Sequence, residues 1–118
     1  MKVALDEGVP EQIVPHLPGH DVQSVRQLGL KGTRNGKLLD ALEARHFEAV
    51  ISNDKKLEFD QNLSRRPFAI LLLSTNHLPT LEPNVGKIAV ALNTAEKGKI
   101  THVDVGTFVA KKFRSPEP

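Results

Sequence analysis

The sequence predicts an α/β domain in which a mostly parallel sheet carries helices on its faces, and three observations lead there. Short aliphatic runs (Val3-Ala4-Leu5, Ala49-Val50-Ile51 and Ala69 to Leu73) alternate with segments whose apolar residues recur at helical spacing, the order of β-α-β units. The second and third runs are continuously apolar, as strands covered on both faces are. Each run then stops at polar residues, Asp6-Glu7, Asn53-Asp54 and Ser74-Thr75-Asn76. In open parallel sheets that rim, beyond the carboxyl ends of the strands, is where ligands bind.

Taken in order, residues 2–5 form the first strand, ending at two acids, and Glu7-Gly8-Val9-Pro10 turns the chain. Val9, Ile13 and Leu17 are spaced for a helix opening at Pro10, held to roughly two turns by Pro15 and Pro18-Gly19. Residues 20–25 read as a second strand. Residues 26–36, with three glycines, read as a surface loop. Leu38, Leu39, Leu42 and His46 gather on one face, so residues 36–47 predict an amphipathic helix capped by Asn35. Residues 47–52 form the third strand and 55–63 a charged, helical or irregular connection. Residues 68–73 are the fourth strand. From Thr80, the spacing of Leu81, Val85, Ile88, Leu92 and Ala95 predicts the longest helix, with Pro83 in its first turn and Gly98 at its end. Residues 100–105 and 107–113 are β-prone around Gly106, consistent with a hairpin or edge extension. The whole reads as a single domain over residues 1–113 with a loose tail at 114–118.

Composition narrows the function. With 118 residues, one domain and one site are expected. No apolar run approaches the ~20 residues that span a bilayer, so no membrane partner is expected. Zero cysteines exclude disulfides, thiolate ligands and a Cys nucleophile, and with no secretory signal visible the expectation is a cytoplasmic protein. A net charge of +2 permits a nucleic-acid partner without demanding one. The absence of Tyr and Trp, with only five Phe, argues against a base-stacking, single-strand platform. Of the five His only His16 and His20 stand four apart, and Pro18-Gly19 ends the helical segment between them, so no helical ligand pair is expected; the loop glycines Gly29, Gly32 and Gly36 match no phosphate-binding motif.

Chemistry therefore falls to the strand-end acids. Asp6 and Glu7 after the first strand and Asp54 after the third could converge on a hard divalent cation and activate water against a phosphodiester. The plain alternative is that Glu7-Gly8-Val9-Pro10 turns the chain and Asp6 caps the helix at Pro10, since acids at strand ends also arise as helix caps and turn residues. Lys31, Arg34 and Lys37 in the loop, with Lys55, Lys56, Arg65 and Arg66 beyond the third strand, are either phosphate contacts or ordinary solvated charge. His77 is the histidine that the topology puts nearest the proposed site.

The stretches KVALDEGVP, GHDVQSVRQLGLKG and AVISNDKKLEF, in this order and spacing, resemble the short PIN-like domains related to VapC-type toxins of bacterial toxin–antitoxin modules. Those run from a strand into Asp-Glu-Asn-Leu-Pro, through Gly-His-Asp-Val and a Gly-Leu-x-Gly loop, to a strand ending in Thr-x-Asp-x-Asp-Phe. The match covers roughly residues 2–60. It implies a three-layer α/β/α PIN-like fold and a Mg²⁺- or Mn²⁺-dependent endoribonuclease, with RNA as substrate and a cognate antitoxin and a second copy of the chain as partners.

Carried over by motif, Asp6, Glu7 and Asp54 are the catalytic and metal-binding acids. Where the family places an acid at the start of the second helix, this chain has Asn35, which offers a carbonyl oxygen but no charge; the second Asp of the Asp-x-Asp pair is Lys56, and the Asn of the opening motif is Gly8. Lys31, Arg34, Lys37, Asn53, Lys55, Thr75 and Asn76 are the candidate substrate-binding residues. Glu43 is the better placed substitute for the missing acid; Asp40, on the opposite side of its helix, reads as a solvated charge. Glu58 and Asp60 reach the rim only if their connection folds back. The weakened acid set motivates an alternative, a PIN-fold module that binds RNA or a partner protein without cutting.

Overall fold

Parallel strands cannot be joined by tight turns, so each strand is joined to the next by a crossover. The computed structural model describes residues 1–108. Its strands β1 (Lys2–Leu5), β2 (Asp21–Ser24), β3 (Ala49–Ser52), β4 (Ala69–Leu73) and β5 (Ile100–Val103) pair entirely in parallel, in the order β2-β1-β3-β4-β5. The chain steps from β1 outward to β2, returns past β1 to β3, and continues to β4 and β5. The direction of winding thus reverses between β1 and β3, which opens a crevice at their carboxyl ends.

The period of two along each strand divides the interior into two cores. Val3, Leu5, Ala49, Ile51, Leu71 and Leu73 pack on one face with Ile13, Leu17, Leu81, Ile88 and Leu92. Ala4, Val50, Ile70 and Leu72 pack on the other with Leu38, Leu39, Leu42, Phe47, Leu57 and Phe68. All residues of β3 and β4 are buried, as their continuously apolar sequences require. Each Leu, Ile, Val or Phe so buried contributes about 1.5–3 kcal/mol relative to exposure.

Several connections depart from the sequence expectation, each for a local reason. The first helix is a 3₁₀ helix, Glu11–His16, entered from Pro10 in an extended conformation and containing Pro15; the missing N–H of Pro15 prevents an α-helical ladder. Helix α1 is Asn35–Ala44, with Arg34 rather than Asn35 at the N-cap and no capping side chain. It ends three residues short of the expected stop. His46 turns left-handed at φ 63°, while its N–H bonds Glu43 O at 3.0 Å and that of Phe47 bonds Leu42 O at 3.2 Å, a Schellman closure. His46 is consequently exposed, and Phe47 takes the buried place.

The expected longest helix is divided. Helix α2 (Leu78–Leu81) passes through a 3₁₀ turn, Glu82–Asn84, around Pro83 into α3 (Val85–Thr94), although Leu81, Ile88 and Leu92 are buried as their spacing predicts. Gly98 then turns at φ 77°, and a Cβ there would stand 2.8 Å from Ser64 O, so only glycine fits. Residues 104–108 form no strand. The remainder of the expected hairpin and the tail at 114–118 lie outside the described residues. No helix among the described residues is long and apolar enough to cross a membrane.

An acidic cleft at the switch point of the sheet

The strand ends that border the switch point are those of β1 and β3. The backbone N–H of Asp6 extends the β1–β3 pairing by donating to Ile51 O at 2.9 Å, which holds Asp6 against the end of β3 and leaves it 8% exposed. Both of its carboxylate oxygens accept hydrogen bonds: Oδ1 from the Glu7 N–H at 2.7 Å and Oδ2 from the Ser52 hydroxyl at 2.6 Å. Ser52, fully buried as the last residue of β3, also accepts from the Asp54 N–H at 3.0 Å. One hydroxyl therefore fixes the spacing of the two strand ends that carry the acids.

Asp54 caps the 3₁₀ helix Lys55–Phe59, its Oδ1 accepting from the Lys56 N–H at 3.0 Å. Glu7 reaches across to the loop after β2, where its Oε1 accepts from the Gly32 N–H at 2.9 Å. Asp6, as it lies, caps no helix. Asp6, Glu7 and Asp54 line one cleft of about 260 Å³ together with Thr33, Arg34 and Asn35. Asn35 sits at φ 52°, a left-handed conformation that Asn tolerates better than most residues.

Of the three acids Asp6 is buried, Asp54 half-buried and Glu7 exposed. Among the described residues, none of the three acids forms an ion pair; the pairs present engage Glu11, Asp40, Glu43, Glu58, Asp60 and Glu96. Burial pushes the Asp6 carboxyl above its ordinary pKa, and the neighbouring charges of Asp54 and Glu7 push the same way, against the Ser52 and Glu7 hydrogen bonds. A cleft with several uncompensated oxygens stabilises any cation that enters it.

The donor set suits a hard cation. It consists of carboxylate oxygens and the Asn35 carbonyl, and Mg²⁺ or Mn²⁺ held by one or two carboxylates keeps several of its waters. Three His, Cys, Asp or Glu side chains are not gathered at metal-ligand spacing among the described residues.

The other candidates divide. Arg34 and Asn35 line the cleft, and Lys31 lines the adjoining hollow with Asp6, Glu7 and Arg26. Lys37, Asn53, Lys55, Thr75 and Asn76 do not line it. Asn76 donates to Gly8 O at 3.2 Å and Asn53 lies beside the same glycine, which turns at φ 99°; both shape the loop that carries Glu7. The Thr75 hydroxyl accepts from the His77 N–H, and Lys55 borders a separate hollow with His102 and Asp104. His77 bonds Thr80 Oγ1 at 2.9 Å and stacks on Phe108 with centroids 3.6 Å apart.

The substitute acids are committed elsewhere. Arg66, buried, bonds Asp40 at 2.6 Å, Glu43 at 3.2 Å and Asp60 at 3.0 Å, so Glu43 does not replace the missing acid and Asp40 is paired rather than merely solvated. Arg66 is likewise a structural cation and not a phosphate contact. Glu58 faces His102 at 3.6 Å. Sequence reasoning missed Ser52, whose only signal is a hydroxyl closing an otherwise apolar strand.

Comparison with protein-family models, curated proteins and solved structures returns no match for this chain.

Proposed function

We propose that the chain is a Mg²⁺- or Mn²⁺-dependent endoribonuclease built as a PIN-like, three-layer α/β/α domain. The observation that carries this reading is the convergence of Asp6, Glu7 and Asp54 on one cleft at the switch point, without an ion-pair partner among the described residues. When bound, the ion would neutralise charge on the phosphodiester and make a bound water more acidic. Asp6 and Asp54 are the principal ligands, positioned by Ser52. Glu7 assists, and Asn35 contributes an uncharged oxygen where an acid is lost. Arg34 and Lys31, exposed at the rim, contact backbone phosphates. The biological setting that fits the resemblance is the toxin of a cytoplasmic toxin–antitoxin module, with a cognate antitoxin and a second copy of the chain as partners.

The test is cleavage of single-stranded RNA by purified protein with Mn²⁺. Cleavage should stop with chelator and in Asp6→Asn, which keeps the shape of the side chain. Full activity of that variant, or indifference to chelator, would overturn the metal mechanism.

A second reading, a binding module on the same scaffold, is favoured by Asn35, which leaves the start of α1 without an acidic residue in its first turn. Mn²⁺ binding that produces no RNA cleavage would select it.

A further inference from the structure

A second hollow, of about 460 Å³, shares Asn35 with the acidic cleft. One piece of chain runs from the cleft to the hollow. The 3₁₀ helix Lys55–Phe59 begins at its cap, Asp54, in the cleft and ends at Phe59 in the hollow. Leu57, 2% exposed, plugs this helix into the core, whereas Phe59 is 80% exposed. A large aromatic ring open to water at the mouth of a polar hollow gains nothing for folding. Around it stand Gln61, Asn62 and Asn35, with Lys56 on the same wall.

This set has a definite chemical complement. An exposed aromatic face is what an unpaired base stacks upon. Side-chain amides present a donor and an acceptor together, as base edges do. A lysine beside them suits the phosphate that follows. We infer that the hollow is a subsite for one unpaired nucleobase of single-stranded RNA, with Phe59 as the stacking face, Gln61 and Asn62 reading the base edge and Lys56 on the adjoining phosphate. The inference deepens the ribonuclease proposal and rests on it for the placement of the scissile phosphate over Asp6 and Asp54. The composition, without Tyr or Trp, argues against a stacking platform for a run of bases, and the single exposed ring of Phe59 offers a place for one base only.

Binding and cleavage separate the two ideas. A fluorescein-labelled 12-mer single-stranded RNA of mixed sequence and the same strand in a duplex are titrated with wild type, Phe59→Ala and Phe59→Tyr in chelator, and cleavage of the single strand with Mn²⁺ is measured in parallel. Phe59→Ala should weaken single-strand binding about tenfold, Phe59→Tyr should restore it, and duplex binding should not change, because paired bases are already stacked. Phe59 lies outside the core, so its truncation leaves the fold intact, and circular dichroism checks this. Reduced single-strand binding without any cleavage by wild type supports the subsite and removes the nuclease. Equal single-strand affinity of Phe59→Ala and wild type, or no binding by wild type, overturns the subsite; if cleavage persists in that case, the nuclease stands and Phe59 is left as a contact for another protein.

Discussion

The molecule holds two groups of three acids, and they are treated in opposite ways. Asp40, Glu43 and Asp60 surround the buried guanidinium of Arg66. Burial there opposes the charge, but the hydrogen bonds that Arg66 donates to Asp60, Asp40 and Glu43 outweigh it and hold the Arg66 pKa above its ordinary value. Asp6, Glu7 and Asp54 gather at the switch point with hydrogen-bond donors but with no ion-pair cation among the described residues, and Asp6 is pushed toward its neutral form. The first group is complete as it stands. The second has no ion-pair partner among the described residues, and that asymmetry separates a fold-stabilising cluster from a candidate site.

Substitution should sharpen the contrast, beginning with the paired cluster. Arg66→Leu leaves Asp60, whose side chain is 10% exposed, without its partner, and should cost about 3–5 kcal/mol in urea unfolding; Asp40→Asn, at a side chain 71% exposed, should cost less than about 1 kcal/mol. A mild effect of Arg66→Leu would mean that the cluster is not a structural lock. Ser52→Ala comes next. It removes the donor to Asp6 and the acceptor of the Asp54 N–H, so it should cost about 1–3 kcal/mol of stability and weaken Mn²⁺ binding by about 10–100-fold. Smaller still, Asn35→Asp supplies the missing charge at a backbone conformation that Asp also tolerates, and should tighten Mn²⁺ binding by up to about tenfold.

The pH dependence of Asp6 has a definite sign. Because its folded pKa is raised, the native protein holds this proton more tightly than the unfolded chain does. The stability of wild type relative to Asp6→Asn should therefore be greatest in acid, fall as pH rises through the folded pKa of Asp6, and level off above it. Thermal melts of the two proteins from pH ~3 to ~8 measure the difference; a relative stability that rises with pH would mean that Asp6 is charge-stabilised instead.

Much of the fold was legible because it follows from local pattern. The continuous apolar runs at Ala49 to Ile51 and Ala69 to Leu73 marked buried central strands, and the Asp6 and Asp54 strand ends met at one cleft. What was not legible depended on partners distant in sequence. The commitment of Glu43 and Asp60 to Arg66 links residues 23 and 6 positions apart, and no helical periodicity reveals it. The bond from Ser52 to Asp6 spans 46 positions. Pro15 and Pro83 were visible as helix breakers, but the 3₁₀ segments that contain them were not. His46 was misplaced by extending a period of 3.6 past a left-handed residue.

The central claim is that the switch-point acids form a cation site. Isothermal titration of the full chain with Mn²⁺ tests it most directly, alongside Asp54→Ala. Saturable heat with wild type that disappears in Asp54→Ala is the predicted result; no heat at millimolar metal, or the same heat from both proteins, would contradict it.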